Sequence, residues 1–199
     1  MLTVAPNVLA ARFARSRTVT VALVVGSAIF TALCAQWVIP LPFTPVPVTG
    51  QTLAVLVSGA TLGMRIGGAG QLLYLAMGAA GLPVFLDGKS GIEHVTGSTI
   101  GYLIGFVVAA SLVGKLAENT DLESCWRALA VFAVGSAVIL ASGMMGLMIR
   151  MDWSASEAFA KGIAPFLIGD TAKVLAASLF LPGLNRGIRW FRKERSFPR

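Results

Sequence analysis

The chain has 199 residues, of which 56% are hydrophobic and 13% charged, and its mean hydropathy is +0.79. Soluble domains usually carry about a quarter charged residues, so composition argues against a soluble protein with merely buried helices. The formal net charge of +7 does not point to nucleic acid. Basic residues gather at the two ends, at Arg12, Arg15 and Arg17 and again at Arg186, Arg189, Arg192, Lys193 and Arg195, with no basic stripe interleaved with aromatics.

Hydropathy and breakers predict six helices. The first covers about 18–38, inside a charge-free run from Thr18 to Met64. It is too long for a signal-peptide core and runs into Pro40, Pro42, Pro45 and Pro47, which are excluded from helix interiors. A second helix is expected over about 49–64, then a tight turn at Arg65, Gly67 and Gly68, and a third helix over about 69–80. A glycine-rich loop occupies about 81–96. The fourth helix is expected over about 97–116, the fifth over about 128–151 and the sixth over about 163–181, closed by Pro182 and Gly183. Polar connections fill 118–127 and 152–161. The charge-free runs Ile66–Leu86, Val95–Gly114 and Ala128–Ile149 are each about as long as one helix across a bilayer.

The expected fold class is therefore an all-α membrane protein, a compact bundle of six transmembrane helices. It forms one domain over 1–199, with 1–17 and 185–199 as basic cytoplasmic tails. With the N-terminus inside, the inner segments carry twelve Lys and Arg residues and the outer segments only Lys89, Arg150 and Lys161. Positive residues concentrate on the cytoplasmic side, so both termini are expected there. No internal repeat supports an inverted-repeat transporter.

The sixth helix breaks the apolar rule at Asp170 and Lys173, three residues apart and so on one face. An ionisable residue deep in a membrane costs roughly 2.5–3.5 kcal/mol, and such residues are seldom idle. A ligand site is the favoured reading; a self-neutralising structural pair and a proton relay are the alternatives. The loop from Gly81 to Gly97 is a candidate lid. Gly88-Lys89-Ser90 fails as a phosphate loop, because the pattern needs Gly at the position of Pro83. His94 is the single histidine and reads as a loop surface residue. It leaves no histidine cluster for a metal and no nucleophile–base pair. Cys34 and Cys125 support neither a disulfide nor a metal site. The small residues of Ala28-x-x-x-Ala32, Gly59-x-x-x-Gly63 and Gly97-x-x-x-Gly101-x-x-x-Gly105 allow close helix approach, and the first helix is the better candidate for an outward docking face.

Several blocks are specific beyond hydropathy: Pro42-Phe43-Thr44-Pro45-Val46-Pro47-Val48-Thr49-Gly50-Gln51-Thr52, Gln71-Leu72-Leu73-Tyr74-Leu75, Gly81-Leu82-Pro83-Val84-Phe85, Gly101-Tyr102 and Gly169-Asp170-x-x-Lys173. Together they resemble the BioY family, the biotin-binding S components of energy-coupling-factor (ECF) transporters. The resemblance implies a binding subunit rather than an enzyme, with no cofactor and with biotin as the transported ligand. It also implies assembly in the bacterial cytoplasmic membrane with a T transmembrane subunit and two ABC-type ATPase subunits. Ala28 and Ala32 would dock to the T subunit. Asp170, Lys173, Lys89, Gln51 and Tyr102 become the candidate biotin contacts. Lys89 stands where the family often has Asn, which keeps another small vitamin open as the ligand; a proton-coupled carrier is the remaining alternative.

Overall fold

A computed structural model describes Val8 and residues 16–179. Apart from Val8, Ser16 and Arg17, the two basic tails lie outside the described residues, as do Pro182 and Gly183. Helix α1 is Arg17–Ala35. Ser16 caps it, its Oγ accepting from the Val19 N–H at 3.3 Å. The helix stops three residues short of the sequence expectation because Val38–Ile39 (β1) pairs antiparallel with Val48–Thr49 (β2). This two-residue ribbon closes the proline-rich segment and adds a small β element to an otherwise helical chain.

The second expected helix pair forms one assigned segment, α2, Gln51–Ala79, broken at Gly63 (φ 81°, ψ 175°). Its arms, 51–62 and 64–79, fold back on each other. The Gln51 side-chain amide donates to the Tyr74 hydroxyl at 2.7 Å, whereas 23 residues of straight helix span about 35 Å. A Cβ on Gly67 would lie 3.0 Å from the Cα of Gly59. The reversal was expected at Arg65, Gly67 and Gly68 and sits instead at Gly63, whose positive φ suits glycine alone. Gly67 and Gly68 are helical and serve close approach.

The loop after α2 contains a 3₁₀ turn, Leu86–Gly88, and a short helix α3, Ile92–Val95. Helix α4 is Ile100–Asn119 and α5 is Cys125–Met151. The expected polar connection at 152–161 is largely helix α6, Ala155–Gly162. Ser154 accepts from the Glu157 N–H, and Lys161 pairs with Glu157 at 2.8 Å. Capping and an i,i+4 pair favour a helix in this polar stretch, and burial of Ala158 packs it on the bundle. The helix expected at 163–181 starts instead at Phe166 (α7, Phe166–Leu179) and makes with α6 a pair bent by 51°. Pro165 lies in the break.

Four helices, α1, α2, α4 and α5, are long and apolar enough to cross a membrane, and the bent α6–α7 pair is a fifth candidate. The chain is therefore mostly helical and built of apolar spans. Helices α2, α4 and α5 pack at backbone distance through glycine. A Cβ on Gly59 would stand 2.6 Å from the Ala110 carbonyl oxygen, and one on Gly146 would stand 2.6 Å from the Gly101 Cα. At the Gly63 end, the Met64 N–H donates to Glu118 of α4 at 2.9 Å, which caps the second arm of α2.

Glycine is therefore structural at some positions and idle at others. Gly59→Ala should lower the thermal unfolding midpoint in detergent, because overpacking against backbone costs about 1–3 kcal/mol. Gly26→Ala, with nothing within 4 Å of the added Cβ, should leave the midpoint unchanged or raise it. Equal midpoints for the two variants would refute the close-packing account.

Candidate functional site

The chain delivers its polar groups to one cavity from three directions. The β ribbon ends at Thr49 and feeds the first turn of α2. There the Thr49 hydroxyl donates to Gln51 Oε1 at 2.9 Å, and the Gln51 N–H donates back to Thr49 Oγ1 at 3.3 Å. With its amide given to Tyr74, Gln51 is held at both ends. The next residue, Thr52, points toward α7. Its hydroxyl accepts from Lys173 Nζ at 2.9 Å and donates to Asp170 Oδ1 at 3.2 Å.

Asp170 and Lys173 form the ion pair that their spacing suggests, with Lys173 Nζ 2.9 Å from Asp170 Oδ1. Asp170 is 4% exposed, and its second oxygen lies 3.5 Å from the Ser136 hydroxyl of α5. Helix α7 starts at Phe166 rather than Ile163, so the pair lies only about 6 and 10 Å down the helix at 1.5 Å per residue. Three helices thus converge on one carboxylate, and a buried charge needs that support.

The space between these groups amounts to about 560 Å³ when the open solvent at its mouth is counted. Its walls are apolar, chiefly Phe85, Leu103, Phe106, Ile139, Leu140 and Phe166, and its polar lining includes Thr49, Gln51, Thr52, Thr99, Asp170 and Lys173. Tyr102 also lines it, with its hydroxyl donated to the Gly162 carbonyl at 2.6 Å. Tyr102 therefore offers a ring face and fastens α4 to α6.

The loop after α2 closes over this space. Phe85 anchors it. The ring occupies the notch left by Gly78, where a Cβ would collide with it, and meets Tyr74 edge to face at 5.4 Å. The Phe85 carbonyl accepts from the Gln36 side chain at 3.1 Å, and its N–H donates to the Lys89 carbonyl at 3.1 Å. Asp87, Gly88 and Gly91 all have positive φ, so the path of the loop depends on left-handed residues. His94 stacks on Phe85 with ring centroids 4.9 Å apart and lines the cavity. Burial first, and the charge of Lys89 second, hold its imidazole below the ordinary histidine pKa.

Of the residues singled out from sequence, Gln51, Tyr102, Asp170 and Lys173 line this one cavity. Lys89 is exposed and outside the lining, and its backbone carbonyl holds Phe85. Ala28 is fully buried against the rest of the bundle, and Ala32 is half-buried. The open face of α1 is carried by Val21, Val25, Ile29, Phe30 and Leu33. Sequence reasoning missed Thr52, Ser136 and the inward placement of His94. Adjacency to Gln51 was a usable signal for Thr52. None existed for Ser136, a lone hydroxyl in an apolar helix. Among the described residues there is no cluster of three or more His, Cys, Asp or Glu that could hold a metal ion.

Comparisons with known proteins agree with this architecture. The model of the BioY family matches residues 8–190. The biotin transporter BioY of Thermotoga maritima is 35% identical over 164 residues, covering 81% of this chain and 95% of that one. Its counterpart in Rhizobium etli is 32% identical over 160 residues, covering 77% and 85%. Among solved structures, the S-component for biotin from an ECF-type ABC transporter matches with a TM-score of 0.78 at 20% identity, covering 85% of this chain and 92% of the other. At that identity the likeness is one of fold. The family model spans most of the chain and the sequence relatives span most of theirs, so this membrane protein belongs to the BioY family.

Proposed function

We propose that the chain is the biotin-capturing S subunit of an ECF-type vitamin importer, a binding protein without catalysis of its own. The observation that carries this reading is the neutral, buried Asp170–Lys173 pair in the wall of an otherwise apolar cavity. Biotin's ureido ring carries two N–H donors and one carbonyl acceptor. Asp170 supplies an acceptor and Lys173 a donor, side by side, while the aromatic and aliphatic walls suit the fused rings and the alkyl chain. The named function of the sequence relatives supports the same ligand.

The membrane arrangement follows the same reading. The chain makes six crossings: α1, the two arms of α2, α4, α5 and the bent α6–α7 pair. Both termini are cytoplasmic, as the asymmetry of basic residues favours. The proline-rich segment, the lid and the start of α7 all contribute to the cavity, which then opens to the outside. The Gly63 turn and the end of α4, joined through Glu118, face the cytoplasm. The T subunit and two ATPase subunits complete the importer in the bacterial cytoplasmic membrane. Helix α1 offers its open apolar face to lipid or to the T subunit, with Ala32 at the edge of that face.

Three outcomes are expected. A cysteine placed in the 81–97 loop of a variant lacking Cys34 and Cys125 should react with an impermeant thiol reagent from outside intact cells, and one beyond Arg186 should not. Reversed labelling would discard the orientation. Ala32→Trp should weaken co-purification with the T subunit while leaving biotin affinity intact, since an indole forces close helices apart. Ala28→Trp, at a fully buried site, should lower stability as well. Normal assembly and transport by Ala32→Trp would place the docking face elsewhere.

The third outcome concerns the pair. Removing one partner from a buried ion pair costs about 3–5 kcal/mol, so Asp170→Asn or Lys173→Met alone should destabilise the protein. The double variant should recover thermal stability yet bind biotin at least about a hundredfold more weakly, two charge-assisted hydrogen bonds being worth roughly 1.5–3 kcal/mol each. Near-normal affinity in a stable double variant would reduce the pair to a structural role.

A further inference from the structure

Most polar groups around the cavity already have protein partners. Gln51 is engaged at both ends of its amide, with Thr49 and Tyr74. The Tyr102 hydroxyl is donated to the Gly162 carbonyl. Asp170, Lys173 and Thr52 satisfy one another, with one ammonium proton of Lys173 to spare. Two side chains remain. Among the described residues, no protein group hydrogen-bonds the imidazole of His94 or the hydroxyl of Thr99, and both line the cavity. Thr99 stands at the N-cap of α4 without making a side-chain capping bond. His94 is carried by the lid, its ring laid against Phe85.

From this inventory we infer that His94 is a specificity-determining residue: it donates a hydrogen bond to the anionic carboxylate end of the ligand once the ureido end is held by Asp170 and Lys173. The inference rests on the biotin reading and adds the orientation of the ligand and the group that reads its charge. A ligand held at the ion pair through its ring carries its carboxylate at the far end of a saturated chain. That end needs donors, and an apolar wall offers none. His94 and Thr99 are donors without partners. Lys89 is near enough to act on His94 electrostatically and adds a positive charge beside it.

Each element around His94 carries charged or titratable groups. Asp87, Lys89 and Glu93 belong to the lid itself, Tyr74 of α2 lies behind Phe85, and Tyr102 of α4 with Asp170 and Lys173 of α7 share the cavity. The free imidazole is neutral near pH 7, since burial and Lys89 both disfavour its charge. A bound carboxylate reverses that balance, so binding takes up a proton as pH falls through the histidine range. A ligand carboxylate stays ionised above about pH 5. Affinity for the anion must therefore rise from pH 8 to pH 5.5, and affinity for an uncharged analogue must not.

The test measures the affinity of the purified full-length chain for biotin and for its primary amide between pH 5.5 and 8. The unaltered protein should bind biotin at least about threefold more tightly at pH 5.5 than at pH 8 and bind the amide with little dependence on pH. His94→Phe keeps a ring on Phe85 and removes the donor. It should weaken biotin binding about tenfold or more, abolish the pH dependence and weaken amide binding less, because the amide carbonyl accepts only a neutral hydrogen bond. His94→Gln should recover part of the biotin affinity without its pH dependence. Equal biotin affinity and equal pH profiles for the unaltered and His94→Phe proteins would overturn this inference alone. Failure of the unaltered protein to bind either compound would overturn the biotin reading and this inference with it.

Discussion

Asp170 and Lys173 are each costly in an apolar bundle without the other, and α7 alone does not hold them. Their spacing brings the two heads to 2.9 Å, yet a two-member pair leaves lone pairs and ammonium protons to satisfy. Thr52 answers both groups with one hydroxyl, and Ser136 approaches the second carboxylate oxygen. The first turn of α2 must therefore sit where it does, and the β ribbon with the Thr49–Gln51 bonds fixes that turn. A buried charge in low dielectric is costly unless it is paired and hydrogen-bonded. That cost is what ties α2, α5 and α7 to one register.

Such convergence needs helices close enough for short polar side chains to meet. Glycine provides that closeness. Gly59 against Ala110 and Gly101 against Gly146 bring α2, α4 and α5 to backbone contact, and Gly63 reverses α2 so that Gln51 can reach Tyr74. In a lipid-like environment helix association relies on such packing and on interhelical hydrogen bonds rather than on water exclusion. Ser27, Thr31 and Gln71 show the same logic between α1 and the second arm of α2, where all three side chains are buried and Gln71 hydrogen-bonds both hydroxyls.

The lid follows a different principle. Its path depends on left-handed residues, and its position depends on one aromatic anchor. Phe85 is held through its ring by Gly78 and Tyr74 and through its backbone by Gln36 and Lys89. The rest of the loop hangs from that anchor, including His94. An anchored loop with glycine joints is well suited to opening and closing over a cavity without unfolding. The bundle thus supplies the ion pair, and the loop adds Phe85 and His94 to the same cavity.

Apolar run lengths, proline placement and end-loaded basic residues identify a helical membrane protein from sequence alone, because the bilayer imposes length and charge rules that act residue by residue. The Asp170–Lys173 spacing is legible for the same reason: helical periodicity is local, and charges in an apolar span stand out. Short specific blocks around Pro42–Thr52 and Gly81–Phe85 are enough for the family resemblance. Other features depend on partners distant in the chain. Thr52 and Ser136 matter only because α7 packs beside them, 118 and 34 residues away. The reversal at Gly63 rather than at Gly67 and Gly68 was settled by which glycine the packing leaves free for a positive φ. The helix at 155–162 arose from a cap and an ion pair that hydropathy does not register. Ala28 and His94 exchanged expectations, the first turned into the core and the second onto the cavity. Hydropathy marks a residue's preference for water or lipid, whereas the direction of a side chain is set by the rotation of its helix or the path of its loop against neighbours. Tertiary packing alone decides that.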